Sequence, residues 1–159
     1  MLIRAINRLS RLGGYLAMLL LASGVLVICQ MIFVRYVLNE STAWQTEYVI
    51  YALVAATFLG CAYVLQLNGH VGVDLLPSAL GPRAGRWLQR LADLLSLSFC
   101  ALLGWSSWNH FHEAWAYDWT TDTVWALPLW IPLLPMPVGI GLLCLQYLAR
   151  LLQPEEQGA

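Results

Sequence analysis

The sequence predicts an all-α integral membrane protein with four transmembrane helices, and three observations support this. Of its 159 residues, 60% are hydrophobic and 11% are charged, whereas soluble domains are about 25% charged. Four apolar stretches are longer than the roughly 18 residues that indicate a membrane-spanning helix. Arginine-rich and arginine-poor segments also alternate along the chain, as four spans would require. A soluble domain of this length buries only about 70% of its unfolded surface, so we expect lipid to cover the remaining apolar side chains.

The first two spans are predicted at residues 12–34 and 44–67. The first is longer than the apolar part of a signal peptide, which has about 7–15 residues, and it ends in bulky side chains at Phe33-Val34. We therefore expect it to stay in the membrane. The second follows a polar turn in which Thr42 and Gln45 have the spacing of a capping box, which predicts that a helix begins there.

The third and fourth spans are predicted at residues 87–108 and 129–152, which makes residues 1–159 a single membrane domain. Pro82 suits the start of the third helix, because its missing N–H has no helical partner in the first turn. A helix from Pro82 to Tyr117 would be about 50 Å long at 1.5 Å per residue, so it must tilt or project. Four prolines predict an irregular entrance to the fourth span: Pro128, Pro132, Pro135 and Pro137. A short amphipathic surface segment, capped by Asp74, is predicted between the second and third spans at Leu75–Leu80.

The distribution of arginine predicts that both termini are cytoplasmic, because cytoplasmic loops carry more Lys and Arg than exported ones. Arginines precede the first span, lie around the start of the third and follow the fourth: Arg4, Arg8, Arg11, Arg83, Arg86, Arg90 and Arg150. The first loop has only Arg35, and the third loop has acids but no basic residue. An odd number of spans would break this alternation.

The chain shows no catalytic or cofactor-binding pattern, and we expect neither an enzyme nor a cofactor. Neither GxSxG nor HExxH occurs. Haem would need histidines at a common depth, but His70 lies in the second loop, whereas His110 and His112 lie near the third. The four cysteines stand apart, so no metal or disulfide framework is predicted. A net charge of −1 argues against nucleic acid as a partner.

A complete ion or solute pathway is not visible either, because such a pathway needs polar groups or broken helices at mid-membrane. The helix centres are apolar, with Glu47 about one turn into the second span and Asp93 about two turns into the third. Arg90 precedes Asp93 by three residues, a spacing that allows an ion pair on one helix face. The chain is therefore expected to pack beside a protein that carries the pathway. Two alternatives stay open: a cytochrome-like electron-transfer subunit and a self-sufficient small transporter.

Seven of the eight tryptophans lie near the predicted periplasmic side. They could form the aromatic belt that marks a membrane interface. They could also join the acids of the third loop in a docking surface for an outside partner, since exposed aromatic residues suit binding surfaces. The candidates for this surface are Glu113, Trp115, Asp118, Trp119 and Asp122, together with Trp125.

The segment RYVLNESTAWQTEYVIYALVAATFLGCAYVLQLNGHVGVDLL resembles the small membrane subunit of tripartite ATP-independent periplasmic (TRAP) transporters. The matching positions are Arg35, Tyr36, Asn39, Ser41, Trp44, Glu47, Tyr51, Phe58, Leu59, Gly60, Gly69, His70, Val73 and Asp74. The fourth span, LPMPVGIGLLCLQYLARLL, also looks like the last helix of that family. The chain departs from the family at Thr46, where an acid is common, and at Gln66 and Gly72, where a basic residue is common.

The resemblance implies a role in a complex of the bacterial inner membrane. A periplasmic substrate-binding protein would deliver an organic acid to a large permease subunit, which moves like an elevator and holds the sodium and substrate sites. Ion-gradient-driven symport would then need the small subunit as an immobile scaffold and part of the docking surface. The resemblance suggests these residues for the subunit interface, with local capping or lipid contact as the alternative: Arg35, Asn39, Trp44, Glu47, Gly60, His70 and Asp74.

Overall fold

The computed structural model describes residues 2–67, 82–123 and 125–152. Its helices are α1 (Leu2–Phe33), followed by a π-helical turn (Val34–Leu38), then α2 (Ala43–Gln66), α3 (Pro82–Ala116), α4 (Trp130–Leu133) and α5 (Pro135–Leu152). Four stretches are long and apolar enough to cross a membrane, and α4 and α5 together make the fourth. The all-α, four-span prediction is confirmed. The orientation of the termini stays a prediction, and the segment Leu75–Leu80 lies outside the described residues.

Two of the helices are much longer than the membrane core. Helix α1 has 32 residues and α3 has 35, which correspond to about 48 Å and 52 Å at 1.5 Å per residue. A hydrocarbon core is about 30 Å thick, so both helices must tilt or project. The segment before the first predicted span is thus helical, and its arginines are on a continuous extension of that span.

Helices α1 and α2 are antiparallel and approach closely at two glycines. A Cβ on Gly13 would lie 2.9 Å from the backbone oxygen of Leu59, and a Cβ on Gly14 would overlap the ring of Tyr63. Small side chains line the buried side of this pair: Ala17, Ala52, Ala55 and Ala56. Since helices in lipid associate by close packing of small residues, these positions bring α1 and α2 together.

Helix α5 is central to the packing, because it contacts α1, α2 and α3. Gly139 lies directly against the backbone of Phe58 on α2. Deeper in the block, Leu65, Cys100 and Tyr147 form a buried cluster where α2, α3 and α5 meet. Among the described helices, the backbone of α3 comes close only to α4 and α5. Helix α3 is therefore the outermost member of the block.

Polar side chains join the helices at the end where α1 and α3 begin. Ser10 donates to Gln146 over 3.1 Å, and Gln146 donates to Asn7 over 3.2 Å. Asp93, which is 7% exposed, pairs with Arg150 on α5 at 3.4 Å. The predicted pairing of Asp93 with Arg90 is corrected here, because Asp93 faces α5 while Arg90 is exposed.

The predicted capping box at the start of α2 is also wrong. Thr42 is the N-cap residue, but its side chain makes no capping hydrogen bond. Gln45 does not reach back to the helix start; it is buried to 3% exposure. The Gln45 side chain thus packs inside the block instead of forming the predicted capping interaction. Thr46 forms the local bond instead, as its hydroxyl donates to the Thr42 carbonyl at 3.3 Å.

Candidate partner-binding surfaces

The chain between α3 and α4 folds back on itself as a compact turn. The N–H of Thr121 donates to the Leu127 carbonyl at 3.0 Å, and the N–H of Leu129 donates to the Trp119 carbonyl at 2.8 Å. Asp118 and Ala126 have left-handed backbone angles, with φ of 46° and 44°. Side chains other than glycine rarely adopt this region, so the turn depends on contacts made around it.

Three aromatic contacts connect this turn and its flanks to the helices. Trp115 meets Trp130 edge-on with ring centroids 4.8 Å apart, and Trp119 meets the ring of His110 at 5.8 Å. Trp44, in the first turn of α2, contacts Trp125 at 6.3 Å. Edge-to-face pairs of this kind add about 0.5–1.5 kcal/mol beyond area burial. The tryptophans therefore hold the surface in one shape while remaining partly exposed.

The three acids of the predicted docking surface, which we call the acidic cluster, are Glu113, Asp118 and Asp122. All three are exposed, and none forms an ion pair with another described residue. No Lys or Arg occurs between Arg90 and Arg150, so the acids have no permanently charged basic neighbour in this part of the sequence. This end of the molecule presents a negative field to water.

A π-helical turn at the end of α1 sets the position of two predicted interface residues. Asn39 ends the turn with φ of 52°, and its N–H donates to the Val34 carbonyl. Asn tolerates the left-handed region better than most residues, so the structure gives it the local capping role considered for it. Arg35 lies within the turn and is exposed.

The interface candidates on α2 differ in their surroundings. Trp44 contacts the loop through Trp125. A Cβ on Gly60 would make only an ordinary 3.5 Å contact with Ala17, so Gly60 faces α1 and is not required there for space. Glu47 is half-buried, and its Oε2 atom is buried with no hydrogen-bond partner in the described residues. His70 and Asp74 lie outside the described residues.

Two residues that shape this end of the molecule, Trp130 and His110, were not predicted as part of the docking surface, whereas Trp125 was. The Trp-rich composition of the loop was a signal for them. Their partners could not be chosen by sequence, because each contact joins residues at least nine positions apart. Gln45 was read as a capping residue and is instead a buried polar group with an unpartnered Oε1.

The fold and these surfaces define a class: a multi-pass helical membrane protein whose polar features lie at its ends. Within residues 2–67, 82–123 and 125–152, no group of three His, Cys, Asp or Glu side chains is placed to hold a metal. Residues 24–156 match the family described as Tripartite ATP-independent periplasmic transporters, DctQ component. The chain belongs to this family.

Two curated relatives carry the same description, "C4-dicarboxylate TRAP transporter small permease protein DctQ". The protein from Vibrio cholerae serotype O1 is 25% identical over 138 residues, which cover 74% of this chain and 60% of the relative. The protein from Rhodobacter capsulatus is 30% identical over 108 residues, covering 66% of this chain and 46% of the relative. The chain thus spans about half the length of the curated relatives it matches. No solved structure matches it.

The family match and the four apolar helices identify a multi-pass protein of the bacterial inner membrane. The members of this family are components of transporters. This outcome supports the resemblance seen in the sequence.

Proposed function

We propose that the chain is the small permease subunit of a TRAP-type secondary transporter and does no covalent chemistry. The match of residues 24–156 to the DctQ component carries this proposal. The large permease subunit would bind the coupling ion, which we expect to be sodium, together with the substrate. A periplasmic substrate-binding protein would deliver that substrate. The names of the two relatives make a C4-dicarboxylate the first organic acid to test.

A scaffold for an elevator must resist displacement along the membrane normal. Seven arginines lie at the end of the block where α1 and α3 begin and α5 ends, with Arg35 at the other. Moving one Arg to the bilayer centre costs at least about 2.5–3.5 kcal/mol. These anchors at both ends, with the close α1–α2 contact at Gly13 and Gly14, support an immobile role.

For the subunit interface we propose the described candidates Arg35, Trp44 and Glu47. Arg35 is exposed at the end of α1 and forms no ion pair with another described residue. The Oε2 atom of Glu47 has no hydrogen-bond partner among the described residues, and Trp44 lies one turn before it. Asn39 and Gly60 have local contacts that account for them. His70 and Asp74 remain proposals on their resemblance alone.

For the binding protein we propose docking on the acidic cluster together with Trp115 and Trp119. The exposed, unpaired acids would attract a basic patch, and the aromatic contacts would present them in a fixed arrangement. Electrostatic complementarity mainly raises the rate at which two proteins meet. The docking surface would therefore speed delivery of the substrate more than it would tighten the final complex.

The test of the proposed function is purification of the tagged chain from native membranes in mild detergent. We expect a much larger membrane protein to be recovered with it, and deletion of the gene to abolish ion-dependent uptake of one organic acid. Vesicles that contain only this chain should show no flux, and the purified chain should be colourless. Recovery of the chain alone, uptake that survives deletion, flux without a partner or a haem absorption band would each contradict the proposal.

A further inference from the structure

The two acids that fall within the predicted spans have different surroundings. Asp93 is nearly buried and meets a basic side chain of its own chain, Arg150, at 3.4 Å. Glu47 has its Oε2 buried without a hydrogen-bond partner in the part of the chain that the structure describes. A buried acceptor that lacks a donor loses its hydration without compensation. Such a group in a native protein needs an explanation.

Glu47 lies on the side of α2 that faces the fourth span. Phe58 and Leu65 follow Glu47 by eleven and eighteen residues, which are close to three and five helical turns, so the three share a face. The backbone of Phe58 lies against Gly139, and Leu65 packs with Tyr147. At its outer end this face meets α4, which α2 also contacts. The carboxylate is therefore directed toward the irregular entrance of the fourth span.

Aromatic side chains flank Glu47 along α2. Trp44 precedes it by three residues and Tyr51 follows it by four, the spacings at which helical side chains are neighbours. Trp44 in turn packs against Trp125 of the loop. The tryptophan pair thus lies one turn outward of Glu47, between the carboxylate and the predicted periplasm. A donor from another protein would therefore approach Glu47 from the side of the helix block.

No basic side chain among the described residues donates to this oxygen. The chain contains eight arginines and no lysine. Seven of them lie at the opposite end of the block. The contacts of Asp93 with Arg150 and of Ser10 with Gln146 bring the start of α1, the start of α3 and the end of α5 together at that end. Only Arg35 shares the end that holds Glu47, and it is exposed and forms no ion pair with another described residue.

We propose that Glu47 receives an Arg or Lys side chain of the large permease subunit, inserted beside α2 and the start of the fourth span. This inference rests on the proposed function and deepens it by assigning a charge pair to the subunit interface. A charged donor suits the site because charge-assisted hydrogen bonds are shorter and stronger than neutral ones. Within residues 2–67, 82–123 and 125–152 no donor reaches the Oε2 atom, so we infer that Glu47 serves the complex and not the fold of its own chain.

The test compares Glu47→Gln and Glu47→Lys in two states of the protein. In the first, the tagged chain is purified with the large subunit, and the complex is diluted in mild detergent until half of the large subunit is lost. We expect Glu47→Gln to raise that half-loss concentration about tenfold and Glu47→Lys to raise it further, because removing one partner of a buried charge pair mainly speeds dissociation. The control is Glu40→Gln, an exposed acid outside α2, which should change nothing.

In the second state, the small subunit is purified alone and its thermal unfolding is measured. We expect Glu47→Gln to leave the unfolding temperature unchanged or to raise it, since a neutral amide costs less to bury than a carboxylate. If Glu47→Gln lowers the unfolding temperature of the isolated chain as much as it weakens the complex, Glu47 is a residue of the fold and the inference is wrong.

Two further outcomes would overturn the inference. Unchanged retention of the large subunit in Glu47→Gln would mean that the carboxylate is only hydrated. The alternative donor is the ammonium group of a lipid, and it is tested by repeating the dilution in vesicles with and without phosphatidylethanolamine. If the large subunit is lost only when this lipid is absent, a protein donor is ruled out. If the unmodified chain retains no large subunit at all, the proposed function has failed first, and the inference fails with it.

Discussion

Two glycines of α5, only two residues apart, face different surroundings. Gly139 is buried, and a Cβ there would overlap the backbone of Phe58. A Cβ on Gly141 would meet nothing within 4 Å. Backbone cannot move aside as the end of a flexible side chain can, so the space at Gly139 is part of how α5 fits against α2. The pair offers a matched comparison on one helix.

We predict that Gly139→Ala lowers the free energy of unfolding by about 1–3 kcal/mol, the usual cost of overpacking. Gly141→Ala should be neutral or slightly stabilising, since Ala is favoured over Gly in helices by about 0.5–1 kcal/mol. Unfolding of both variants in detergent, followed by circular dichroism, measures the difference. Equal stability of the two variants would show that the α2–α5 contact can adjust without cost.

At the scale of helices, α3 depends on few neighbours. Its backbone comes close to α4 and α5 alone among the described helices. The pair of Asp93 with Arg150 joins α3 to α5 at one end, and the contact of Trp115 with Trp130 joins α3 to α4 at the other. These two contacts hold the outermost helix at both ends.

We predict that Asp93→Ala destabilises the chain by about 1–3 kcal/mol. This value lies between those of exposed and fully buried ion pairs, because the side chains of Asp93 and Arg150 are 9% and 35% exposed. Thermal unfolding of the purified chain measures it. The double variant Asp93→Leu with Arg150→Met should recover part of the loss, since it removes both charges of this pair together.

Arg90→Ala is the control for this pair, because Arg90 is an exposed arginine on the same helix. It should change the unfolding temperature little. If Arg90→Ala lowers the unfolding temperature as much as Asp93→Ala does, Asp93 pairs with Arg90 on α3, as the sequence spacing suggested.

At the scale of the whole molecule, charge is divided between the two ends. Seven of the eight arginines lie at one end, and the acidic cluster lies at the other, where the chain adds only Arg35. Fields from exposed charges of one sign steer oppositely charged partners and raise association rates. This asymmetry is what the proposed docking of a binding protein would use.

We predict that reversing the acidic cluster with Glu113→Lys, Asp118→Lys and Asp122→Lys slows delivery by the binding protein about tenfold at low salt. The effect should shrink near physiological ionic strength, where charges more than about 8 Å apart are screened. Uptake by vesicles that hold the full complex, measured against binding-protein concentration, tests this. The matched control replaces Glu155 and Glu156 near the C-terminus with Lys and should leave the uptake kinetics unchanged. Unchanged kinetics in the acidic-cluster variant would mean that these acids are only solvated and have no part in docking.

The helical class, the number of spans and the charge difference between the ends were all predictable from the residues alone. In a bilayer every backbone polar group must find its partner inside the protein, and apolar stretches of about 20 residues meet this requirement as helices, because strands that cross a membrane are about half as long. The sequence also predicted the acidic cluster, because a loop without Lys or Arg stays negative whichever way it folds.

Which side chains contact one another depends on how the helices pack. Spacing placed Asp93 beside Arg90, but the position of α5 gave it Arg150. A capping motif was predicted for Gln45, but the packing around α2 buried it. The tryptophan pairs and the unpartnered oxygen of Glu47 likewise depend on which helices are neighbours. Helices that are apolar on every face carry little signal of which face turns inward, so that choice is made by shape when the helices pack.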